Sequence, residues 1–235
     1  MTLGGVALIT VWFAVNWTYQ VVRKPSELFF PVSGTLYKTP TETWRTYESV
    51  FRRHATHTVT PQLLAALAQV EGSGNPVVRT YWRWSLTPQP FEVYRPASSA
   101  VGMYQITDGT FGEARRYCIH DHVVVQDGPW HAWRSCWFNA LYTRVPSHAV
   151  ELTSAYLDSQ VTSILATRGA VSASRMQTEN LAAIIHLCGR SAGAAYAARG
   201  FRLLPRQRCG DHDVRGYLDR VRAMQSTFER LASTS

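Results

Sequence analysis

Between Thr60 and Gly74 the chain encodes a helix with both ends marked. Thr60-Pro61 supplies a capping hydroxyl followed by proline at the first helical position. Gly72 and Gly74 stop the helix, and Leu63, Leu64, Leu67 and Val70 lie between these signals. Glu71 stands eight residues after Leu63 and four after Leu67, so all three project from one side. That side must be buried or line a cleft. An ordinary glutamate at a helix end sits in water or in a salt bridge. A carboxylate set against apolar neighbours instead has its charged form disfavoured and can hold a proton near neutrality.

The remaining pattern is also helical. Thr41 to Arg53 places Trp44, Tyr47 and Phe51 on one face. A short helix is expected from Thr107 to Cys118, capped by Asp108. The aromatic segment Trp130 to Arg144 reads as helical from Ser135. Pro146-Ser147 opens a long helix that includes Glu151, Leu152, Ala155, Tyr156 and Ile164 and stops at Gly169. Thr178-Glu179-Asn180 opens the apolar helix Leu181 to Cys188, ended by Gly189, and Asp213 to Leu231 is the last. No repeat and no sustained alternation is present. The expected fold is mainly α, with at most a short β-hairpin near 92–107. Residues 76–98 form an insertion with Tyr81, Trp82, Trp84, Phe91 and Tyr94, whose rings either stack on a ligand or pack internally.

Three segments follow from this pattern: 1–24, a hydrophobic anchor or signal; 25–40, a Pro/Thr/Ser-rich linker; and 41–235, the folded domain. Val6 to Val22 is apolar but interrupted by Thr10, Asn16, Thr18 and Gln20, which makes it marginal for a span of about 20 residues. It lacks a basic lead-in and a small-residue cleavage site. Membrane attachment through residues 6–22 is one expectation for it.

The net charge of +8 suits an anionic partner such as a membrane surface, an acidic wall polymer or nucleic acid. No nucleic-acid motif accompanies the charge, so nucleic acid is set aside. Arg199, Arg202, Arg206 and Arg208 read as a solvated basic face. Cys118, Cys136, Cys188 and Cys209 lack the spacing of a metal site, and neither metal nor cofactor is implied. Their even number fits two disulfides in an oxidising compartment. Of three possible pairings, Cys118–Cys136 and Cys188–Cys209 each close a short local loop.

After Glu71-Gly-Ser-Gly-Asn75-Pro76 comes a second segment, Ser99-Ala-Val-Gly102-Met103-Tyr104-Gln105. Together they resemble the lytic transglycosylases of the soluble (SLT) type, in which a Glu-Ser-x-x-Asn-Pro segment ends the catalytic helix and a Gly-Leu-Met-Gln segment crosses the cleft floor. Gly72 stands where that family has serine. A third family segment, Ala-Tyr-Asn-x-Gly, lines up with Ile185 to Gly189 and puts His186 in place of the tyrosine. On its own, His186 on an apolar helix reads as a core histidine; the resemblance implies contact with Glu71.

The resemblance covers about residues 60–200 and implies a lysozyme-like fold acting on peptidoglycan glycan strands in the bacterial periplasm; the oligomeric state is left open, with a monomer favoured. It makes Glu71 the catalytic acid and base, and assigns Ser99, Gly102, Met103, Tyr104, Gln105 and His186 to substrate binding. The bond cleaved would join N-acetylmuramic acid to N-acetylglucosamine, leaving a 1,6-anhydro ring without consuming water. A hydrolytic muramidase would require a second carboxylate, for which Glu92 and Asp108 are the candidates, or a positioned water opposite Glu71. A wall-binding subunit without turnover is the other alternative.

Overall fold

A computed structural model describes residues 2–126, 145–167 and 173–234. The helices are α1 (Thr2–Arg23), α2 (Phe30–Ser33), α3 (Pro40–His54), α4 (Pro61–Gly72), α5 (Asp108–Ala114), α6 (Pro146–Ala166), α7 (Arg175–Ala198) and α8 (Val214–Ser233). Among the described residues three antiparallel hairpins are set between them: β1 (Trp82–Trp84) with β2 (Tyr94–Pro96), β3 (Tyr117–His120) with β4 (Val123–Gln126), and β5 (Arg208–Cys209) with β6 (His212–Asp213). The architecture is mainly α, as the sequence pattern implies.

The helix α4 is the centre. Leu63, Leu64, Ala65, Ala66, Leu67 and Ala68 are all fully buried, so every side of its middle turns is covered. It packs against α3 and, most extensively, against α8. Thr60 caps it as expected, accepting from the Leu63 amide. At its other end Ser73 adopts a left-handed conformation, and its N–H and that of Gly74 return to the Gln69 and Ala68 carbonyls. In α3, Trp44, Tyr47 and Phe51 are buried as their spacing requires, and Trp44 meets Phe228 of α8 with ring centroids 5.6 Å apart. The start of α3 carries a reciprocal Thr39–Glu42 capping box.

Several expectations need correction. The α5 helix ends at Ala114, and Cys118 lies in β3. Its cap is Thr107, whose hydroxyl accepts from the Thr110 amide, while Asp108 is the first helical residue. The helix opening near Thr178 begins earlier, because Ser174 and Gln177 form a capping box. Gly189 does break that helix, at φ +80°, and a further helical stretch follows directly. The expected hairpin near 92–107 is two features: β2 pairs backwards with β1, and Val101 and Ile106 form an isolated bridge closing a tight turn. The Ser135 helix, Gly169 and Cys136 lie outside the described residues, and so does the Cys118–Cys136 pairing. Cys188 and Cys209 are bonded, with Cα atoms 5.5 Å apart.

The stretch 25–40, expected to be an aperiodic linker, carries a 3-10 turn over Pro25–Phe29 followed by α2. Glu27 explains the order. Its carboxylate is fully buried, accepting from Arg79 at 2.6 Å and from the Trp82 indole at 2.8 Å. A buried carboxylate this well paired fixes its segment against the 76–98 insertion.

Trp84, Phe91 and Tyr94 of that insertion pack on α1. Trp84 stacks on Trp12 at 6.4 Å, and Phe13 meets Tyr94 edge-on at 6.0 Å. Trp84 and Tyr94 make internal contacts, while the Tyr81 ring stays exposed. Asn16 and Gln20, which interrupt the apolar run, are buried and donate to the carbonyls of Tyr94 and Phe91 at 2.8 and 2.6 Å.

Candidate active site

Glu71 occupies the last turn of α4, with its side chain 18% exposed. The buried turns before it hold its backbone, so the carboxylate has little freedom beyond its own rotamers. The Tyr217 hydroxyl, from α8, donates to Glu71 Oε1 at 2.6 Å. His186 Nε2, from α7, lies 3.8 Å from the same oxygen. The carboxylate is therefore not in purely apolar surroundings: a phenol and an imidazole flank it.

Tyr217 is buried in the α4–α8 interface. Burial, and next the Glu71 charge, push its phenol well above the usual tyrosine range. It thus remains a donor at any physiological pH. His186 is pulled below the ordinary histidine value, first by burial and against the attraction of Glu71. The Tyr104 carbonyl accepts from its ring, which fixes the imidazole's orientation. Neutral His186 is both a packed core histidine and a neighbour of Glu71, so the two readings of this residue meet. At 3.8 Å it makes no direct hydrogen bond with the carboxylate.

Gly72 follows Glu71 and touches the second motif. A Cβ built on Gly72 would lie 2.9 Å from Met103 Cα and 3.0 Å from both the Met103 carbonyl oxygen and Val78 Cγ1. Only glycine lets the 101–106 turn press this closely on the helix end. The serine expected at this place from the resemblance would not fit here without a shift, and the departure has a steric cause. Gly74 is comparably tight, at φ +63° against the Thr43 side chain. Asn75 is fully buried, donating to the Ser33 carbonyl at 2.6 Å and accepting from the Val77 amide at 2.9 Å. It is a structural bracket for the chain leaving α4.

The turn itself is closed by paired Val101 and Ile106 backbone bonds of 3.0 Å. Gly102 and Gln105 both take positive φ, +72° and +47°. The Gln105 amide donates to the Gly102 carbonyl at 2.9 Å and is half-buried. Met103 and Tyr104, assigned to substrate binding by the resemblance, are fully buried. They expose no surface to a ligand; instead the Tyr104 hydroxyl donates to the Leu64 carbonyl at 3.2 Å and anchors the turn onto α4. Ser99 accepts from the Asp108 amide and lines a cavity of about 230 Å³ with Arg23, Lys24, Glu92, Arg95 and Asp108. Glu71 does not line that cavity.

The structure thus joins Glu71, His186 and the Gly102–Gln105 turn, leaves Ser99 in a separate cavity, and adds Tyr217. Nothing in the local sequence marks Tyr217. It is 146 residues from Glu71, and a tyrosine on the apolar face of an amphipathic helix reads as a core aromatic. Neither alternative acid is placed as a partner of Glu71. Glu92 is bound by Arg23 and, at 2.6 Å, by Arg95, and Asp108 is exposed at the start of α5. Compared with protein-family models, with curated proteins and with solved structures, the chain matches none.

Proposed function

We propose that the protein is a peptidoglycan lytic transglycosylase with a lysozyme-like domain, acting in the bacterial periplasm on the bond between N-acetylmuramic acid and N-acetylglucosamine. The supporting observation is the contact of Gly72 with Met103. It brings two motifs some 30 residues apart in sequence to one place, directly beside the carboxylate of Glu71.

In this reading Glu71 gives its proton to the glycosidic oxygen as the bond to the anomeric carbon breaks. The muramoyl 6-hydroxyl then attacks that carbon and returns its proton to Glu71, closing the 1,6-anhydro ring. Water is not consumed and Glu71 is restored. Tyr217 orients the carboxylate through its 2.6 Å hydrogen bond. Neutral His186 completes the wall without placing a second charge beside it. One carboxylate suffices, in keeping with the engagement of Glu92 by two arginines.

Digestion of purified sacculi followed by mass analysis of the soluble fragments tests this function. Fragments lighter by one water than the reducing muropeptides support the transglycosylase. Reducing ends would move the protein to the hydrolytic muramidases, and binding without release would make it a wall-binding subunit.

A further inference from the structure

The α1 helix has its polarity arranged in reverse of a soluble helix. Within Gly4–Arg23 the most apolar 18-residue window has a mean hydropathy of 1.3, yet only 11% of that window is buried. Val6, Leu8, Ile9, Val11 and Val22 are more than half exposed. The buried residues are the polar ones, Asn16 at 1% and Gln20 at 5%. These two, with Trp12, Tyr19 and Arg23, dock the C-terminal half of α1 along the β1–β2 hairpin. An apolar helix held by its polar stripe leaves its apolar surface for another medium.

The hairpin continues that surface. Tyr81, Trp84 and Leu86 are 71%, 63% and 108% exposed, and Arg83 beside them is exposed too. Between α1 and the hairpin lies a cavity of about 390 Å³ lined by Phe13, Asn16, Trp17, Arg79, Trp82 and Tyr94. Exposed indole and phenol rings next to arginines on an apolar face suit the boundary between lipid chains and anionic headgroups. The overall charge of +8 has the complementary sign.

Docking also decides the geometry. The 22 residues of α1 measure about 33 Å, enough to cross a hydrocarbon core of about 30 Å. However, Trp12 touches Trp84 of the hairpin, and Trp12 lies about 16 Å along the axis from Arg23. If docked α1 crossed the bilayer, β1 and β2 would be drawn to its midplane. Their open strand edges and Arg83 would then sit in hydrocarbon, which is forbidden to unpaired backbone and costly for an arginine. A helix lying in the interface plane avoids both penalties.

We propose that α1 and the β1–β2 hairpin form one monotopic membrane surface, with docked α1 lying in the plane of an anionic bilayer and not crossing it. This is independent of the enzymatic reading and is tested without activity. The full chain, tagged at its N-terminus, is mixed with vesicles of phosphatidylcholine alone or doped with phosphatidylglycerol.

The expected result is tight binding only to the doped vesicles, with tryptophan fluorescence quenched more by lipids brominated near the headgroup than at the chain end. The tag is removed by protease added outside, without detergent. Arg83→Glu and Leu8→Asp, both at exposed positions, each weaken binding roughly tenfold with the circular dichroism unchanged. Absence of binding, a tag protected until detergent is added, or unaltered affinity of both variants would each overturn the proposal. A tag that is protected would mean that α1 leaves the hairpin and spans.

Discussion

Replacing Tyr217 by phenylalanine removes one buried hydroxyl and keeps the ring that fills the α4–α8 interface. The lost interaction is a 2.6 Å hydrogen bond to Glu71 Oε1. Hydrogen bonds to charged groups contribute about 1.5–3 kcal/mol. The Glu71 side chain is 18% exposed, so water recovers part of the loss, and the lower end of that range, about 1.5 kcal/mol, is expected. For a chain of this length that lowers the melting temperature by about 3–6 °C. The carboxylate also loses its orientation, so turnover on sacculi should fall about tenfold with little change in wall binding, roughly 1.4 kcal/mol in the barrier. A double-mutant cycle with Glu71→Ala isolates the contact: urea unfolding of the wild type, both single variants and the double variant should give a coupling energy of about 1 kcal/mol. A coupling near zero, with turnover unchanged, would show that the phenol does nothing for the carboxylate.

Three further outcomes follow from other contacts. Gly72→Ser should cost about 1–3 kcal/mol in urea unfolding, because its Cβ meets Met103 Cα at 2.9 Å; an unchanged midpoint would mean that the turn moves freely. Burial, and then the charges of Arg53, His148 and His122, pull His54 down to about 4, so the folded state resists protonation more than the unfolded chain does. Its contribution is full above about pH 6.5 and is lost as pH falls from there toward 4, amounting to roughly 2 kcal/mol after a discount for solvent screening. Melting of wild type and His54→Gln from pH 7 to 4 checks this, and equal acid slopes would contradict it. Opening Cys188–Cys209, which closes a loop of sequence separation 21, should cost about 3 kcal/mol in the chain-entropy description; a Cys188→Ala/Cys209→Ala variant as stable as wild type would refute it.

Much of the helical frame is legible before any coordinates, because caps and stops are local. Thr60-Pro61 and the Trp44–Tyr47–Phe51 stripe fall where their chemistry puts them. Contacts between distant elements are not legible. Gly72 reads only as a helix stop, while its larger role is to admit the Met103 backbone. Tyr217 reads as core, and only the packing of α8 on α4 turns its hydroxyl toward Glu71. Met103 and Tyr104 mislead in the other direction: the resemblance assigns them to substrate binding, yet the turn faces them inward. In α1 the polar interruptions are legible, but what they contact is not. Asn16 and Gln20, four residues apart, share one face, and what weakens the run as a span is the stripe that docks it.

The central claim is that Glu71 is the acid that cleaves the glycan strand. Its most direct test is the release of soluble muropeptides from sacculi by wild type and by Glu71→Gln, measured side by side. The substitution keeps the side chain's shape and its capacity to accept from Tyr217, and removes the titratable proton. Anhydro-ended fragments are expected from the wild type and a loss of at least about a thousandfold in the variant, equivalent to about 4 kcal/mol of barrier, at unchanged circular dichroism. A folded variant that releases the same fragments at a comparable rate would contradict the claim.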